Sequence, residues 1–368
     1  MKILVLSSHT HSLFWFRIDM MKNFLQKGCD VVAVGDEAEE VWVERFAGLN
    51  IKYRQVYVKR NGINPCDDLK TLKQIRNILK EEKPDKVFLY QAKSIIYGCI
   101  AASALKMKEM YPLVAGLGSV FRGKTLKSKL VKFIMGMEYK IALRNSKKVM
   151  FQNKDDLNLF VEEKIVNPDK CCIINGSGVD VRKFELKELP QETAFLMIAR
   201  LIRDKGVVEY LEACKEIKNQ FPNCRCMLVG PFDTNPSALQ PEELQSYIDE
   251  NIIEYYGEQD DVRSYIEQCS VFVLPSYHEG TPKTVLEAMA MGRAVITTDA
   301  PGCRETVQDG DNGYLIPVKN TQQLVARMKY FIENSDKAFI MGQKGRKIAE
   351  AKYDVDKVNE SILKIMSI

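Results

Sequence analysis

Short β-rich apolar runs alternate with longer stretches in which apolar residues recur every three or four positions. In the first half the runs are residues 3–6, 31–34, 86–90, 113–115 and 149–151. Runs this continuous predict central strands of a parallel sheet, buried on both faces. Between them, residues 18–26 and 69–80 carry the helical period, which predicts helices packed on that sheet. The pattern restarts at residues 195–198 and repeats at 227–229, 271–274 and 294–296. Two doubly wound α/β domains follow. The segment Glu185-Leu186-Lys187-Glu188-Leu189-Pro190-Gln191-Glu192 is polar, contains proline and shows no sustained period, so it is the expected linker. The expected domains are therefore 1–184 and 193–354. In open α/β sheets ligands sit beyond the carboxyl ends of the strands, so two such sheets facing each other would enclose a cleft, lined by post-strand loops.

A length of 368 residues fits two domains of ordinary size. At 46% hydrophobic and 28% charged the composition is that of a globular chain. The opening Met1-Lys2-Ile3-Leu4-Val5-Leu6 has too short an apolar run for a signal peptide and reads as a first strand. No stretch reaches the roughly 18 uninterrupted apolar residues of a membrane span. Ten cysteines are scattered without any C-x-x-C pair, which predicts free thiols, not zinc ligands or a disulfide framework.

Net charge is only +4, yet residues 122–148 hold nine basic side chains against the single acid Glu138. A local anionic partner is implied. Within this segment Leu126, Leu130, Phe133, Ile134, Met137 and Ile141 recur at helical spacing, flanked by Lys127 and Lys129. It reads either as an interfacial helix at an anionic membrane or as an ordinary amphipathic helix packed on the first sheet. Aromatic interleaving is confined to Phe133 and Tyr139, so nucleic acid is not the expected partner.

The candidate chemistry lies in two post-strand loops of the second half. The stretch Pro275-Ser276-Tyr277-His278-Glu279-Gly280-Thr281-Pro282-Lys283-Thr284-Val285-Leu286-Glu287 follows a strand directly. Thr281 is a natural N-cap and Pro282 suits the first helical position. Such a helix start offers unpaired amides and a positive dipole end, a ready place for a diphosphate. Glu279 before the helix and Glu287 within it can accept hydrogen bonds from hydroxyls. The loop Ala199-Arg200-Leu201-Ile202-Arg203-Asp204-Lys205-Gly206 also follows a strand. There Arg200 and Lys205 can meet one dianion and neutralise a diphosphate leaving group. In the first half, His9-Thr10-His11-Ser12 follows the first strand. Its two histidines lack further ligands for a metal, and a polar loop near phosphates, with Arg17 on the following helix, is the better expectation.

The Glu-x7-Glu spacing of Glu279 and Glu287, the Arg200-x4-Lys205-Gly206 loop, and residues 175–180 resemble family 4 of the retaining GT-B glycosyltransferases over essentially the whole chain. Gly116-Leu117-Gly118-Ser119, Gln91-x-Lys93-Ser94 and Leu274-Pro275-Ser276-Tyr277 are similar to bacterial members that extend polyprenyl-diphosphate-linked glycans, N-acetylgalactosaminyltransferases among them. The resemblance implies two Rossmann-like domains facing across a cleft, the first binding acceptor and joined by a terminal helix at 355–368, the second binding a UDP-sugar. It implies Arg200 and Lys205 on the donor diphosphate, Glu279 on sugar hydroxyls, Glu287 on the ribose, and Gly280, Thr281, Pro282, Lys283, Thr284 and Val285 around the donor. Acceptor contacts are expected from His9, Ser12, Arg17, Lys93, Gly118, Ser119, Lys124 and Lys127. No cofactor or metal is implied, and the expected place is the cytoplasmic face of the plasma membrane.

Many relatives carry a histidine near the donor sugar, whereas the loop from Ala115 to Ser119 has none. Retention is then expected to proceed by front-face attack, with the departing diphosphate oxygen taking the acceptor proton. The alternatives are a nicotinamide-dependent oxidoreductase, whose G-x-G-x-x-G fingerprint is missing, a UDP-sugar epimerase of the same architecture, and a non-catalytic carbohydrate-binding protein.

Overall fold

The structure, a computed structural model, describes residues 1–59, 64–117, 126–235 and 237–368, with residues 126–128 by backbone only. It divides into two compact units: Met1–Ser177 with Val358–Ile368, and Gly178–Lys357.

The first unit is built on seven parallel strands: β1 (Lys2–Ser7), β2 (Asp30–Gly35), β3 (Lys52–Gln55), β4 (Lys86–Tyr90), β5 (Met110–Val114), β6 (Val149–Phe151) and β7 (Cys171–Ile173). Their order is β3-β2-β1-β4-β5-β6-β7. Successive side chains of β1 alternate between two cores, as the twofold period of a strand requires. Leu4 and Leu6 meet Ile75, Ile95 and Cys99 on one face, while Ile3 and Val5 meet Met21, Phe24 and Ile362 on the other. Ile362 belongs to the helix Val355–Met366, whose Val358, Leu363 and Met366 are buried in that second core.

The second unit holds six parallel strands, β8 (Ala194–Ile198), β9 (Arg225–Val229), β10 (Glu254–Tyr255), β11 (Val271–Leu274), β12 (Ala294–Thr298) and β13 (Gly313–Ile316), in the order β10-β9-β8-β11-β12-β13. Both sheets reverse strand order once, at β1/β4 and at β8/β11. Chain entering opposite crossovers on either side of such a point leaves a crevice above it.

Four strands, β3, β7, β10 and β13, lie outside the sequence expectation, and β5 begins earlier than expected. Pro112 explains the latter: it has no N–H to give, and pairing with β6 starts only at Leu113. The division between units falls ahead of the polar segment 185–192. That segment is gripped by the second unit, where the fully buried Arg293 donates to the carbonyls of Lys187 (3.1 Å) and Glu188 (3.0 Å). Arg346 likewise donates to the carbonyls of Phe184 and Val181.

Candidate functional site

In the second unit the loop after β8 turns through a short 3-10 segment, Arg203–Lys205, into the helix Val207–Gln220. The loop after β11 leads into the helix Lys283–Ala290. The two loops flank the β8/β11 reversal and are clipped together. The Tyr277 amide donates to the Asp204 carbonyl at 2.9 Å, and the Ser276 hydroxyl donates to the same oxygen at 3.2 Å. Gly206 makes this approach possible, since a Cβ there would lie 2.2 Å from the Pro275 carbonyl oxygen. A third loop, after β12, closes on the second: the Glu279 amide donates to Pro301 O at 2.9 Å.

Across this frame the Lys205 ammonium forms an ion pair with the Glu279 carboxylate, both groups being largely withdrawn from solvent. Two of the three expected catalytic groups are therefore in contact. The third, Arg200, is half exposed and pairs with Asp233 at 2.6 Å, a residue of the loop after β9. Arg203 pairs with Glu243.

Glu287 sits on the second turn of the helix Lys283–Ala290 and is 7% exposed. Burial pushes its carboxyl up to about 7, against the pull of the Lys283 and Lys183 ammoniums, with Asp261 adding to the rise. No side-chain hydrogen bond or ion pair reaches the Glu287 carboxylate among the described residues. A buried carboxylate of this kind is poised to accept hydrogen bonds from a ligand that replaces its lost water.

The helix start differs from expectation by one residue. Pro282, not Thr281, is the N-cap, with φ −70° and ψ 109° and no side-chain hydrogen bond. Gly280 is buried, and Thr281, Lys283 and Thr284 remain partly exposed beside it. The Val285 side chain is fully buried in the core and its amide donates to the Pro282 carbonyl at 3.1 Å.

In the first unit the loops after β1 and β4 meet at Gln91. Its side-chain oxygen accepts from the hydroxyls of Ser7 (3.0 Å) and Ser8 (2.9 Å). Gln91 holds φ +72°, a conformation that non-glycine residues rarely adopt and that recurs at functional positions. The backbone amide of His9 donates to Ser7 Oγ at 3.1 Å. Tyr90 donates its hydroxyl to Ser12 Oγ at 3.2 Å, and the buried Arg17 guanidinium lies 5.2 Å from the Tyr90 ring centroid. His9, Ser12 and Arg17 thus gather around the β1/β4 reversal. Lys93, on the helix after β4, is committed to an ion pair with Asp68 at 2.6 Å. Of the remaining acceptor expectations, Gly118, Ser119 and Lys124 lie outside the described residues, as does the side chain of Lys127.

Gln91, Tyr90 and Asp233 were not expected as site residues. The strained backbone of Gln91 is invisible in its residue type, but its position directly after a central strand was a usable signal.

Among the described residues no three His, Cys, Asp or Glu side chains gather into a metal site. All ten cysteines are free.

Two family matches adjoin along the chain: residues 2–153 match the family described as Glycosyl transferase 4-like, and residues 180–348 match Glycosyl transferases group 1. The N,N'-diacetylbacillosaminyl-diphospho-undecaprenol alpha-1,3-N-acetylgalactosaminyltransferase of Campylobacter jejuni is 28% identical over 379 residues, spanning 99% of this chain and 98% of that protein. A UDP-Gal:alpha-D-GlcNAc-diphosphoundecaprenol alpha-1,3-galactosyltransferase of Escherichia coli is 26% identical across 72% of this chain and 70% of its own length. HepE of Anabaena, solved in complex with UDP-glucose, shares the fold with a TM-score of 0.79 at 19% identity, covering 100% of this chain and 99% of that one. Sucrose-phosphate synthase of Thermosynechococcus elongatus does so with a TM-score of 0.81 at 16% identity, covering 100% and 98%. None of these relatives supports the oxidoreductase or epimerase alternatives. Matched in both halves by glycosyltransferase families, over residues 2–153 and 180–348, the chain belongs to the GT-B glycosyltransferases of family 4.

Proposed function

We propose that this enzyme moves a hexose or N-acetylhexosamine from a UDP-sugar to a saccharide carried on a polyprenyl diphosphate, with retention at the anomeric carbon. Its place is the assembly of a surface polysaccharide or a glycoprotein glycan, peripheral at the inner face of the plasma membrane. The Lys205–Glu279 pair at the β8/β11 reversal carries this reading: two loops hold a cation for the diphosphate and a carboxylate for the sugar side by side. UDP-glucose in HepE and undecaprenyl-diphosphate substrates in the names of the two bacterial relatives support it.

Each group then has a role. A lone carboxylate would repel a diphosphate; Lys205 offsets that charge and, with Arg200, neutralises the leaving group. Glu279 accepts from hydroxyls of the donor sugar and fixes its orientation. The chain from Gly280 to Thr284 borders the diphosphate with the backbone amides of its residues other than Pro282, and Glu287 accepts from the two ribose hydroxyls. Bond breaking separates the anomeric carbon from the β-phosphate oxygen. The acceptor hydroxyl attacks the same face and its proton passes to the departing oxygen, so no protein base, cofactor or metal is required. On the first unit His9, Ser12, Arg17, Lys93, Gly118, Ser119, Lys124 and Lys127 serve the acceptor.

A thermal-shift titration with UDP, GDP and NAD tests the donor site, since a ligand bound only to the native state raises the melting temperature. UDP alone should raise it, and Glu287→Ala should abolish the rise. Transfer from UDP-sugars to an undecaprenyl-diphosphate-linked saccharide then tests the reaction. Stabilisation by NAD and not by UDP would overturn the reading.

A further inference from the structure

Asp233 stands in the loop after β9, and that loop is stitched to the loop after β8 by backbone hydrogen bonds. The Leu201 amide donates to the Pro231 carbonyl at 3.0 Å, the Arg203 amide to the Ser237 carbonyl at 2.8 Å, and the Leu239 amide to the Leu201 carbonyl at 2.8 Å. Tyr255 fixes the start of the loop: its hydroxyl donates to the Gly230 carbonyl at 2.8 Å and its ring meets Phe232 edge-on. The place of Asp233 relative to Arg200 is therefore set by backbone, not by two long side chains finding each other.

Each oxygen of the Asp233 carboxylate has one task. One accepts from the Asn235 amide at 2.7 Å, and the other accepts from Arg200 Nη1 at 2.6 Å. The Asp233 side chain is 16% exposed and that of Arg200 49%, so the carboxylate is the fixed partner and the guanidinium the one held. No other hydrogen bond reaches that guanidinium among the described residues. A guanidinium is a planar fork of five donors. With Nη1 committed to Asp233, the Nε–Nη2 edge keeps two parallel donors, the arrangement that takes a phosphate in bidentate fashion.

We propose that Asp233 is a positioning residue for the donor: it holds Arg200 by Nη1 and so presents the Nε–Nη2 edge to the diphosphate. The proposal rests on the reading of Arg200 as a diphosphate ligand. An arginine side chain that nothing holds loses its rotamer freedom when an anion binds, and Asp233 takes that loss in the folded protein beforehand. The negative charge of Asp233 opposes the diphosphate only weakly, because the guanidinium lies between the two anions in this arrangement and solvent screens what remains. Diphosphate recognition then draws on three post-strand loops, those after β8, β9 and β11.

Calorimetric titration of the full chain with UDP tests this on the wild type, Arg200→Ala, Asp233→Asn and the double variant. Arg200→Ala should weaken UDP about tenfold or more, as loss of a charge-assisted contact does, and Asp233→Asn should weaken it about fivefold. In the Arg200→Ala background, Asp233→Asn should change UDP affinity by less than about twofold, because a residue that acts through Arg200 has nothing left to position. Uridine, which carries no phosphate, should bind all four proteins alike in ligand-observed NMR, which a general distortion of the loop would not allow. Asp233→Glu keeps the charge and should recover part of the loss. Equal losses from Asp233→Asn in both backgrounds, or a parallel loss of uridine binding, overturn the proposal and leave Asp233 a purely structural group. Tighter UDP binding in Asp233→Asn overturns it by making the carboxylate a competitor for Arg200. If Arg200→Ala leaves UDP affinity unchanged, the donor reading of Arg200 falls and the proposal falls with it.

Discussion

Lys205 and Glu279 stand 74 residues apart in sequence and form one ion pair, each contributed by a loop that leaves a neighbouring strand of the second sheet. The pair keeps a carboxylate neutralised while no diphosphate is bound, so charge compensation is in place before the substrate arrives. Lys205→Ala should lower kcat/KM by about 10²- to 10³-fold, the usual cost of removing one group that stabilises a developing oxyanion. Lys205→Arg should recover part of this, since charge survives while geometry does not. Initial rates of labelled-sugar transfer measure both. A loss under tenfold in Lys205→Ala would place the compensation elsewhere, with Arg200 the next candidate.

On the proposed reading, Glu287 makes the donor site pH-sensitive. Burial lifts its carboxyl from 4.5 to about 7, so the folded chain holds this proton more tightly than the unfolded chain. Stability therefore falls as pH rises through that window and reaches its full loss above about 7, a cost on the order of 3 kcal/mol. Glu287→Gln should melt higher than wild type at about pH 8, with the difference vanishing as the pH falls below the ordinary glutamate range. Ribose hydroxyls need an acceptor, so UDP affinity in the wild type should rise with pH through about 7 and be flat in the variant. Thermal melts and calorimetry across that range check both. A parallel pH dependence in Glu287→Gln would assign the titration to another group.

What could be read before the structure follows from where burial writes itself into residue type. The central strands β1, β4, β8 and β11 are covered on both faces and appear as unbroken apolar runs. The edge strands Lys52–Gln55 and Glu254–Tyr255 carry no such run, because one side of each has no strand to pair with. The contact between Lys205 and Glu279 was legible because post-strand loops at a reversal must converge. The Arg200–Asp233 pair was not, since it depends on a third loop with no local signal. Segment 185–192 misled for a related reason: Arg293 grips its backbone carbonyls, and carbonyls leave no trace in a sequence.

Gly206 tests how strictly the two donor loops must be clipped. It sits at φ +75°, and a Cβ would meet the Pro275 carbonyl oxygen at 2.2 Å. Gly257 is the control, with φ +66° and nothing within 4 Å. Gly257→Ala should cost only the left-handed penalty of about 1–2 kcal/mol. Gly206→Ala bears the same penalty plus displacement of the β11 loop, so it should be clearly the more destabilising, and it should weaken UDP binding at least about tenfold by separating Lys205 from Glu279. Denaturant melts and UDP titration of both variants measure the difference. Equal losses would mean that the loops can part without affecting the site.

On the proposed acceptor role, Arg17 sets stability against function in the first unit. It is 3% exposed, its Nε has no hydrogen-bond partner, and its guanidinium lies against the rings of Tyr90 and Phe88 at 5.2 and 5.9 Å. Burial pulls it down to about 10, with Tyr90 opposing, which leaves it charged at neutral pH. A buried charge without a counter-charge lowers stability unless a bound anion supplies one. Arg17→Met keeps most of the stem and removes the charge, so its melting temperature should rise by a few degrees. The same change should raise KM for the diphosphate-linked acceptor about tenfold or more while leaving the UDP dissociation constant as it was, because a lost charge-assisted contact is worth about 1.5–3 kcal/mol. A lower melting temperature together with an unchanged acceptor KM would instead make Arg17 a structural group, retained for its stacking on Tyr90.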